Sequence, residues 1–389
     1  MNFKRFSLFS LLVVVILVLT SLTGNMSRTA AQGATPAATE AATMAATQAA
    51  PVLPKLTSLT VGILHVGAIT DAGYNEAHAD GIAAMKKNLP NVKVIEVENV
   101  PETADSERVM ENMIQQGAKL IIPASFGYMD SALNVAARHP DVVFEFPSGY
   151  ILKPNFGVYW GDTPEAFYLM GQAAGKMTKS NKLGFVVAFP ISFILGNVNG
   201  FALGARSVNP NVVTHMVVSG DWADPAKMTI ATNALIDEGA DVVTMVQDSP
   251  LAVVQTAEKR GAYSIGFHFI GLSKFAPKGW ISGIAFTWGP LYTRFAQQVM
   301  DGTWTSQSLL GGLDSDYMQL APFGPAVPKE VVDMVNTNKQ AIIDGKLNIW
   351  AGPIKDNTGT IRVKQGDVLT NDQLNSMDWL VDGAIGNTK

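Results

Sequence analysis

Polar and aromatic residues follow four predicted strands of this 389-residue chain, at the places where a strand passes into a helix. The four segments are 70–75 (TDAGYN), 125–130 (SFGYMD), 221–225 (DWADP) and 247–250 (QDSP). Open α/β sheets bind ligands at the carboxyl ends of their strands, where these segments fall. Aromatic faces beside carboxylates, amides and hydroxyls suit a flat ligand that forms hydrogen bonds. The pattern therefore predicts a recognition site for a small heterocycle.

Two of these segments belong to the first half of the chain. Asp71 is expected to cap the helix that follows it, which leaves Tyr74 and Asn75 on the first turn as ligand-binding candidates. Ser125 and Phe126 begin the other segment. They either meet a polar heterocycle beside backbone donors at a helix start, or form an ordinary helix entry with a packed Phe. Both interpretations stay open.

The other two segments belong to the second half. Trp222 has a large rigid ring, which suits two roles. It either stacks on a ligand ring, which we favour, or covers the hydrophobic core. Asp248 and Ser249 place a carboxylate and a hydroxyl at a helix N-terminus, where they either bind the ligand or cap the helix. All three residues are ligand-binding candidates.

Sequence signatures of catalysis are missing. The histidines, at positions 65, 78, 139, 215 and 268, form no H-E-x-x-H or paired ligand spacing, and cysteine is absent. No G-x-S-x-G nucleophile elbow and no P-loop occurs, and no G-x-G-x-x-G opens a helix after the first strand. We therefore expect a binding protein without catalytic residues, metal or cofactor, and an enzyme is the less favoured alternative.

Short aliphatic runs alternate with helical stretches along the chain, which is the pattern of parallel sheets covered by helices. Strands are predicted at 59–64, 92–97, 120–123, 142–146, 183–188, 212–218, 242–246 and 263–269. Helices are predicted at 73–87, 103–116, 164–177, 225–238, 290–300 and 329–344. Eight strands with their helices are more than a single sheet of ordinary size would hold. We therefore predict an α/β chain of two lobes with a ligand cleft between them.

The chain is expected to pass between the lobes more than once. The first crossing is predicted at 158–162, and a strand at 281–286 with the helix after it is expected to return the chain to lobe one. We therefore assign 56–162 and 284–314 to lobe one, and 163–283 and 315–389 to lobe two.

The N-terminal 31 residues have the parts of a secretory signal: Lys4 and Arg5, an apolar stretch over 6–22, and small residues around Ala30. We predict export to the periplasm or the outer face of the cytoplasmic membrane, with a retained membrane anchor as the alternative to cleavage. Residues 32–55 are rich in Ala, Thr, Pro and Gln, which predicts a flexible tether, and no lipobox cysteine exists. The net charge of −5 argues against a nucleic-acid partner.

Taken together, the motifs resemble those of the basic membrane protein family of ABC-transporter substrate-binding proteins, whose members include purine nucleoside receptors. The resemblance spans about 59–322 and is carried by 71–75 (DAGYN), 125–130 (SFGYMD), 140–144 (PDVVF), 171–177 (GQAAGKM), 204–210 (GARSVNP), 222–225 (WADP) and 301–304 (DGTW). It implies a type I periplasmic-binding fold, a small-molecule ligand in the interlobe cleft, and delivery to an ABC-transporter permease. In purine-binding members two aromatic residues sandwich the ring, which implies Tyr74 and Trp222 as the plates here. The resemblance also implies that Asn75 and Asp248 form hydrogen bonds with the polar edge of the purine base.

This chain differs from the nucleoside-binding members at the positions that contact ribose. Those members use an acid after the last second-lobe strand and a lysine soon after it, whereas this chain has FHFIG at 267–271 and AFTW at 285–288. The resemblance therefore implies a purine nucleobase such as adenine in preference to a nucleoside. The alternatives are a sensor that presents its ligand to a membrane receptor and, less favoured, an exported enzyme that processes nucleosides.

Overall fold

A computed structural model describes residues 53–389; the predicted signal segment over 1–31 and the tether as far as residue 52 lie outside the described residues. The strands are β1 (Leu59–His65), β2 (Val92–Val97), β3 (Leu120–Ala124), β4 (Val143–Pro147), β5 (Phe156–Gly161), β6 (Lys182–Val187), β7 (Val213–Val218), β8 (Val242–Val246), β9 (Tyr263–His268), β10 (Trp280–Phe286), β11 (Ser308–Gly311), β12 (Met318–Leu320), β13 (Ile354–Lys355), β14 (Ile361–Val363) and β15 (Ala384–Ile385). The helices are α1 (Tyr74–Asn88), α2 (Ala104–Gln115), α3 (Met129–Arg138), α4 (Pro164–Met177), α5 (Ser192–Val208), α6 (Pro225–Asp237), α7 (Leu251–Arg260), α8 (Gly289–Asp301), α9 (Lys329–Ile343) and α10 (Asn371–Asn375).

Two large sheets form the two lobes. The first has the strand order β11-β5-β4-β3-β1-β2, and its neighbouring strands are all parallel. The second has the order β12-β10-β9-β8-β6-β7-β15, in which only β12 runs antiparallel to its neighbour. Helices cover both sheets, so strands such as β3 and β8 are buried along their whole length. The predicted α/β architecture of two lobes with helix-flanked parallel sheets is confirmed.

One strand joins a different sheet from the one predicted. The expectation that the strand at 281–286 returns the chain to lobe one is wrong, because β10 pairs with β9 and β12 of the second sheet. The chain returns one element later, with α8 packed on α1 and with β11 paired to β5. Every residue of β10 is buried, as in any central strand, so its apolar run carries no information about which sheet it joins. The other lobe boundaries stay predictions.

Helices α4 and α5 of the second lobe pack backbone against backbone. Gly171 faces the carbonyl oxygen of Phe201, and Gly204 faces the carbonyl oxygen of Tyr168. A Cβ atom at either glycine would overlap the oxygen that it faces. Two of the motifs that carry the family resemblance, GQAAGKM and GARSVNP, therefore contain the small residues that this close helix pair requires.

The described chain enters the first lobe beside the C-terminal end of α8. Leu56 donates its backbone N–H to the carbonyl oxygen of Met300 at 2.7 Å. Leu53 and Leu56 also pack against the core. From this edge β1 runs to His65, at the carboxyl edge where the two lobes meet.

Glu145 is a carboxyl group buried in the middle of β4. Its side chain is fully inaccessible to solvent, and its Oε1 accepts a hydrogen bond from Nε1 of Trp304 at 2.6 Å. Its Oε2 has no partner within residues 53–389. Burial raises the pKa of Glu145 to about 8, against the opposing effect of the Trp304 hydrogen bond. The group therefore carries a proton in the folded protein at neutral pH.

We expect Glu145→Gln to remove part of the pH dependence of stability. An unfolded Glu has a pKa of about 4.3, so above that pH the unfolded chain loses a proton that the folded protein keeps up to about pH 8. The contribution of protonated Glu145 to the free energy of unfolding is complete below about pH 4. It is lost as the pH rises to about 8, by about 1.4 kcal/mol per pH unit. Gln keeps an oxygen that accepts from Trp304 but carries no titrating proton. Urea unfolding at about pH 6 and about pH 8 should show the variant gaining stability relative to wild type as the pH rises. An unchanged difference in the free energy of unfolding would contradict this expectation.

Candidate functional site

The loop before α1 in the first lobe contacts the loop after β8 in the second. The backbone N–H of Tyr74 donates to the carbonyl oxygen of Asp248 at 2.9 Å, and the N–H of Asp248 donates to the carbonyl oxygen of Trp222, also at 2.9 Å. Gly73 lies against the same Asp248 oxygen, so closely that a Cβ atom at Gly73 would overlap it. The backbone thus brings together three predicted site residues, Tyr74, Asp248 and Trp222, where the lobes meet.

The loop at 67–76 is organised by Asp71. Its carboxylate accepts hydrogen bonds from the backbone N–H groups of Gly73 at 2.8 Å, Asn75 at 3.0 Å and Glu76 at 3.0 Å, which confirms the predicted capping role. The side chain of Asn75 is held in the same loop. Its Oδ1 accepts from the N–H of Gly67 at 3.1 Å, and its Nδ2 donates to Asp71 at 2.8 Å. A role for Asn75 at the base edge stays a prediction.

Tyr74 lies between two histidine rings. Its ring is edge-on to His78, with 4.5 Å between centroids, and edge-on to His268, with 5.3 Å between centroids. Only 5% of its surface is exposed, and its hydroxyl has no hydrogen-bond partner in the described part of the chain. Burial raises the pKa of Tyr74 well above its usual range, and the charge of Asp248 acts in the same direction. Tyr74 is therefore a neutral phenol; its role as a stacking plate stays a prediction.

Trp222 and Phe126 are the more accessible aromatic candidates, one in each lobe. Trp222 is half-buried in the second lobe, with its ring centroid 5.7 Å from that of Phe189. Phe126 is 58% exposed in the first lobe, with its centroid 6.4 Å from that of Tyr150. The alternative of a packed Phe at this helix entry is therefore wrong. The stacking role of Trp222 stays a prediction.

The two serine candidates differ in their surroundings. Ser125 is buried, and its hydroxyl donates to the carboxylate of Glu102. Ser249 is half-buried and lies two residues before α7 begins. A contact between either hydroxyl and a ligand stays a prediction.

His268 is a residue of the interlobe contact that the sequence pattern did not identify. It ends β9 with a φ of 70°, which is an uncommon backbone conformation for a residue other than glycine and occurs often at functional sites. Its side chain is buried, and its Nε2 lies 3.8 Å from Oδ1 of Asp248, beyond hydrogen-bond range. Burial lowers the pKa of His268 to about 3, so its imidazole is neutral. A search for metal-ligand spacing misses such a residue, although its position at the carboxyl end of a strand was a usable signal.

Trp160 and His78 also belong to this contact and were not predicted. Trp160, at the end of β5, has its ring centroid 6.2 Å from Tyr74 and 6.4 Å from Phe193 of the second lobe. Beneath Tyr74, Nδ1 of His78 is hydrogen-bonded to the hydroxyl of Tyr292. Aromatic and imidazole rings from both lobes therefore pack around Tyr74.

Asp248 is the acidic group at the centre of the contact. Burial raises the pKa of Asp248 to about 8, and the neighbouring carboxylates of Asp71, Glu102 and Asp221 act in the same direction. Its carboxyl group is therefore mostly protonated at neutral pH.

Two further features bear on function. Between residues 53 and 389 no group of three or more His, Asp and Glu side chains is arranged to hold a metal ion. Over the same range no helix has the length and apolar character needed to cross a membrane.

Comparisons with known proteins agree with this architecture. The family described as ABC transporter substrate-binding protein PnrA-like matches residues 58–356. The chain is 35% identical to a purine-binding protein of Brucella abortus, over 84% of this chain and 92% of that protein. It is also 35% identical to a putative ABC transporter glucose-binding protein of Haloferax volcanii, over 74% of this chain and 73% of that protein. The crystal structure of an ABC transporter solute-binding protein from Aeropyrum pernix superimposes with a TM-score of 0.65 at 18% identity, over 82% of this chain and 96% of that one. The chain belongs to the PnrA-like family of ABC transporter substrate-binding proteins.

Proposed function

We propose that this protein, exported from the cytoplasm, captures a purine nucleobase of the adenine kind between its lobes and delivers it to the permease of an ABC transporter. The observation that carries the proposal is the hydrogen-bonded backbone connection of Tyr74, Asp248 and Trp222. An aromatic residue of the first lobe and a carboxyl-bearing residue of the second thus meet at the contact between the lobes, which supports a site for a flat ligand with a polar edge. The purine-binding relative supports the same ligand class.

The proposed mechanism is binding without a chemical step. The lobes close on the ligand about the chain segments that join them, and the permease recognises the closed form. The last residue of β9 supports a base in preference to a nucleoside, because the chain has the buried, neutral His268 near the place where nucleoside binders are expected to hold ribose with an acid.

A thermal-shift comparison of adenine, hypoxanthine, adenosine and glucose tests the proposal. Glucose is included because one relative carries the name of a glucose-binding protein. A ligand at about a hundred times its Kd stabilises the folded protein by about 2.7 kcal/mol, so binding gives a clear shift of the melting temperature. We expect the largest shift with adenine. A shift with glucose and with no purine would refute the proposed ligand class.

We expect Trp222→Ala to raise the Kd for adenine about tenfold. Stacking contributes about 0.5–1.5 kcal/mol beyond the burial of area, and the substitution removes both contributions. Because Trp222 is only half-buried, the unfolding temperature without ligand should change little. Trp222→Phe is the matched control, since it keeps an aromatic face and should retain most of the affinity. Isothermal titration calorimetry measures all three proteins, and equal affinity of wild type and Trp222→Ala would remove Trp222 from the site.

A further inference from the structure

Three polar side chains with few partners meet where the lobes touch. The hydroxyl of Tyr74 has no hydrogen-bond partner among residues 53–389. The backbone oxygen of Asp248 accepts a hydrogen bond from the N–H of Tyr74 at 2.9 Å, which brings Asp248 to the same contact. The side chain of Asp248 is 24% exposed and makes no hydrogen bond to another described side chain; Nε2 of His268 lies 3.8 Å from its Oδ1, beyond hydrogen-bond range. Asp248 is the accessible member of the three, since Tyr74 and His268 are buried.

The neighbouring carboxylates differ from Asp248 because protein donors already occupy them. Asp71 accepts from the backbone N–H groups of its own loop. Asp221 accepts from the N–H of Ala223 and from Nζ of Lys227, both at 3.0 Å. Glu102 accepts from the hydroxyl of Ser125. Asp248 is thus the carboxyl group in this cluster that is left for a ligand.

We infer that Asp248 binds the ligand as an uncharged carboxyl group, and that it therefore selects a heterocycle with a ring-nitrogen acceptor beside an amino donor. The inference rests on the proposed function and specifies the ligand edge. A protonated carboxyl group has an O–H donor beside a C=O acceptor, whereas a carboxylate only accepts. Adenine presents the complementary acceptor and amino donor side by side. Guanine presents two adjacent N–H donors on its pairing edge, which suit a carboxylate.

The charges around Asp248 favour its uncharged form. The carboxylates of Asp71, Glu102 and Asp221 repel a negative charge at this position, and Tyr74 and His268 are both neutral. Lys227 is paired with Asp221, at 3.0 Å. Burial and these charges place the pKa of Asp248 at about 8, so the carboxyl group begins to lose its proton only in mildly alkaline solution.

Calorimetric titration with adenine between about pH 6.5 and about pH 9 tests the inference on wild type and on Asp248→Asn. The Asn amide offers a donor beside an acceptor but does not titrate. Wild type should bind with nearly constant Kd up to about pH 7, weaken about twofold by about pH 8, and then weaken up to about tenfold per pH unit. Asp248→Asn should bind at neutral pH within about threefold of wild type, with a Kd that stays flat across the range. Asp237→Asn, which changes an exposed side chain paired with Arg260, is the matched control and should follow wild type.

Titration with guanine separates failure of this inference from failure of the proposed function. Wild type should bind guanine more weakly than adenine at neutral pH. Loss of adenine binding in a folded Asp248→Asn, a wild-type Kd for adenine that does not rise above pH 8, or tighter binding of guanine would overturn the inference and leave the purine proposal standing. Wild type that binds no purine would overturn both. The wild-type pH profile and the guanine comparison need no variant, so they decide the matter even if Asp248→Asn does not fold.

Discussion

Gly73→Ala should hold the lobes apart and weaken ligand binding about a hundredfold or more. The new Cβ atom would overlap the backbone oxygen of Asp248 on the opposite lobe. A backbone oxygen cannot rotate away as a side chain does, so the clash penalises the closed conformation and leaves the open one unaffected. The hydrogen bond from the N–H of Tyr74 to that oxygen would be lost as well. Apparent affinity falls in proportion to the population of the binding-competent state.

Small-angle scattering and calorimetry together measure this effect. The radius of gyration of Gly73→Ala should exceed that of wild type in the presence of adenine, and the Kd should rise. Gly196→Ala is the matched control, because the nearest atom to its new Cβ is a Pro164 carbon at an ordinary contact distance of 3.7 Å. Wild-type affinity and dimensions in Gly73→Ala would show that the contact does not control closure.

Gly204→Ala is expected to lower the free energy of unfolding by about 3 kcal/mol, at the upper end of the usual cost of overpacking. Its Cβ would overlap the carbonyl oxygen of Tyr168, so α4 and α5 would have to separate. That separation opens space around Phe167 and Phe201, which are fully buried in the core that both helices cover. The effect is on stability, because neither helix carries a predicted site residue.

Urea unfolding of Gly204→Ala beside Gly196→Ala isolates the cause, since both changes put a methyl group on the same helix. Gly196→Ala has room and should be neutral or stabilising by about 0.5–1 kcal/mol, because Ala is the better helix former. Equal unfolding midpoints for the two variants would show that α4 and α5 can separate at little cost.

The fold was largely predictable because its signal is local. In α/β proteins the central strands are buried on both faces, so β1, β3 and β8 are mainly apolar runs that a sequence reveals directly. The residues of a strand do not by themselves determine which sheet the strand joins. The burial of β10 is the same whichever sheet it joins, and its partners β9 and β12 decide the matter.

The site was predictable to the extent that strand ends define it. The rule that ligands bind at the carboxyl ends of strands selected Tyr74, Trp222 and Asp248, which the structure brings together. It did not select His268 or Trp160, since their relevance depends on contacts between lobes that are distant in sequence. Nor could the sequence show that the amide of Asn75 is already held by its own loop.

The entry of the chain beside α8 determines how this protein would present itself on a solid support. Leu56 is held at the amino edge of the first sheet, and β1 then spans seven residues, about 23 Å, before it reaches the edge where the lobes meet. A surface linkage placed ahead of Leu53 would therefore leave the cleft directed towards the bulk solution. Immobilised in that orientation, the protein would remain accessible to its ligand, which makes it a practical recognition element for a biosensor.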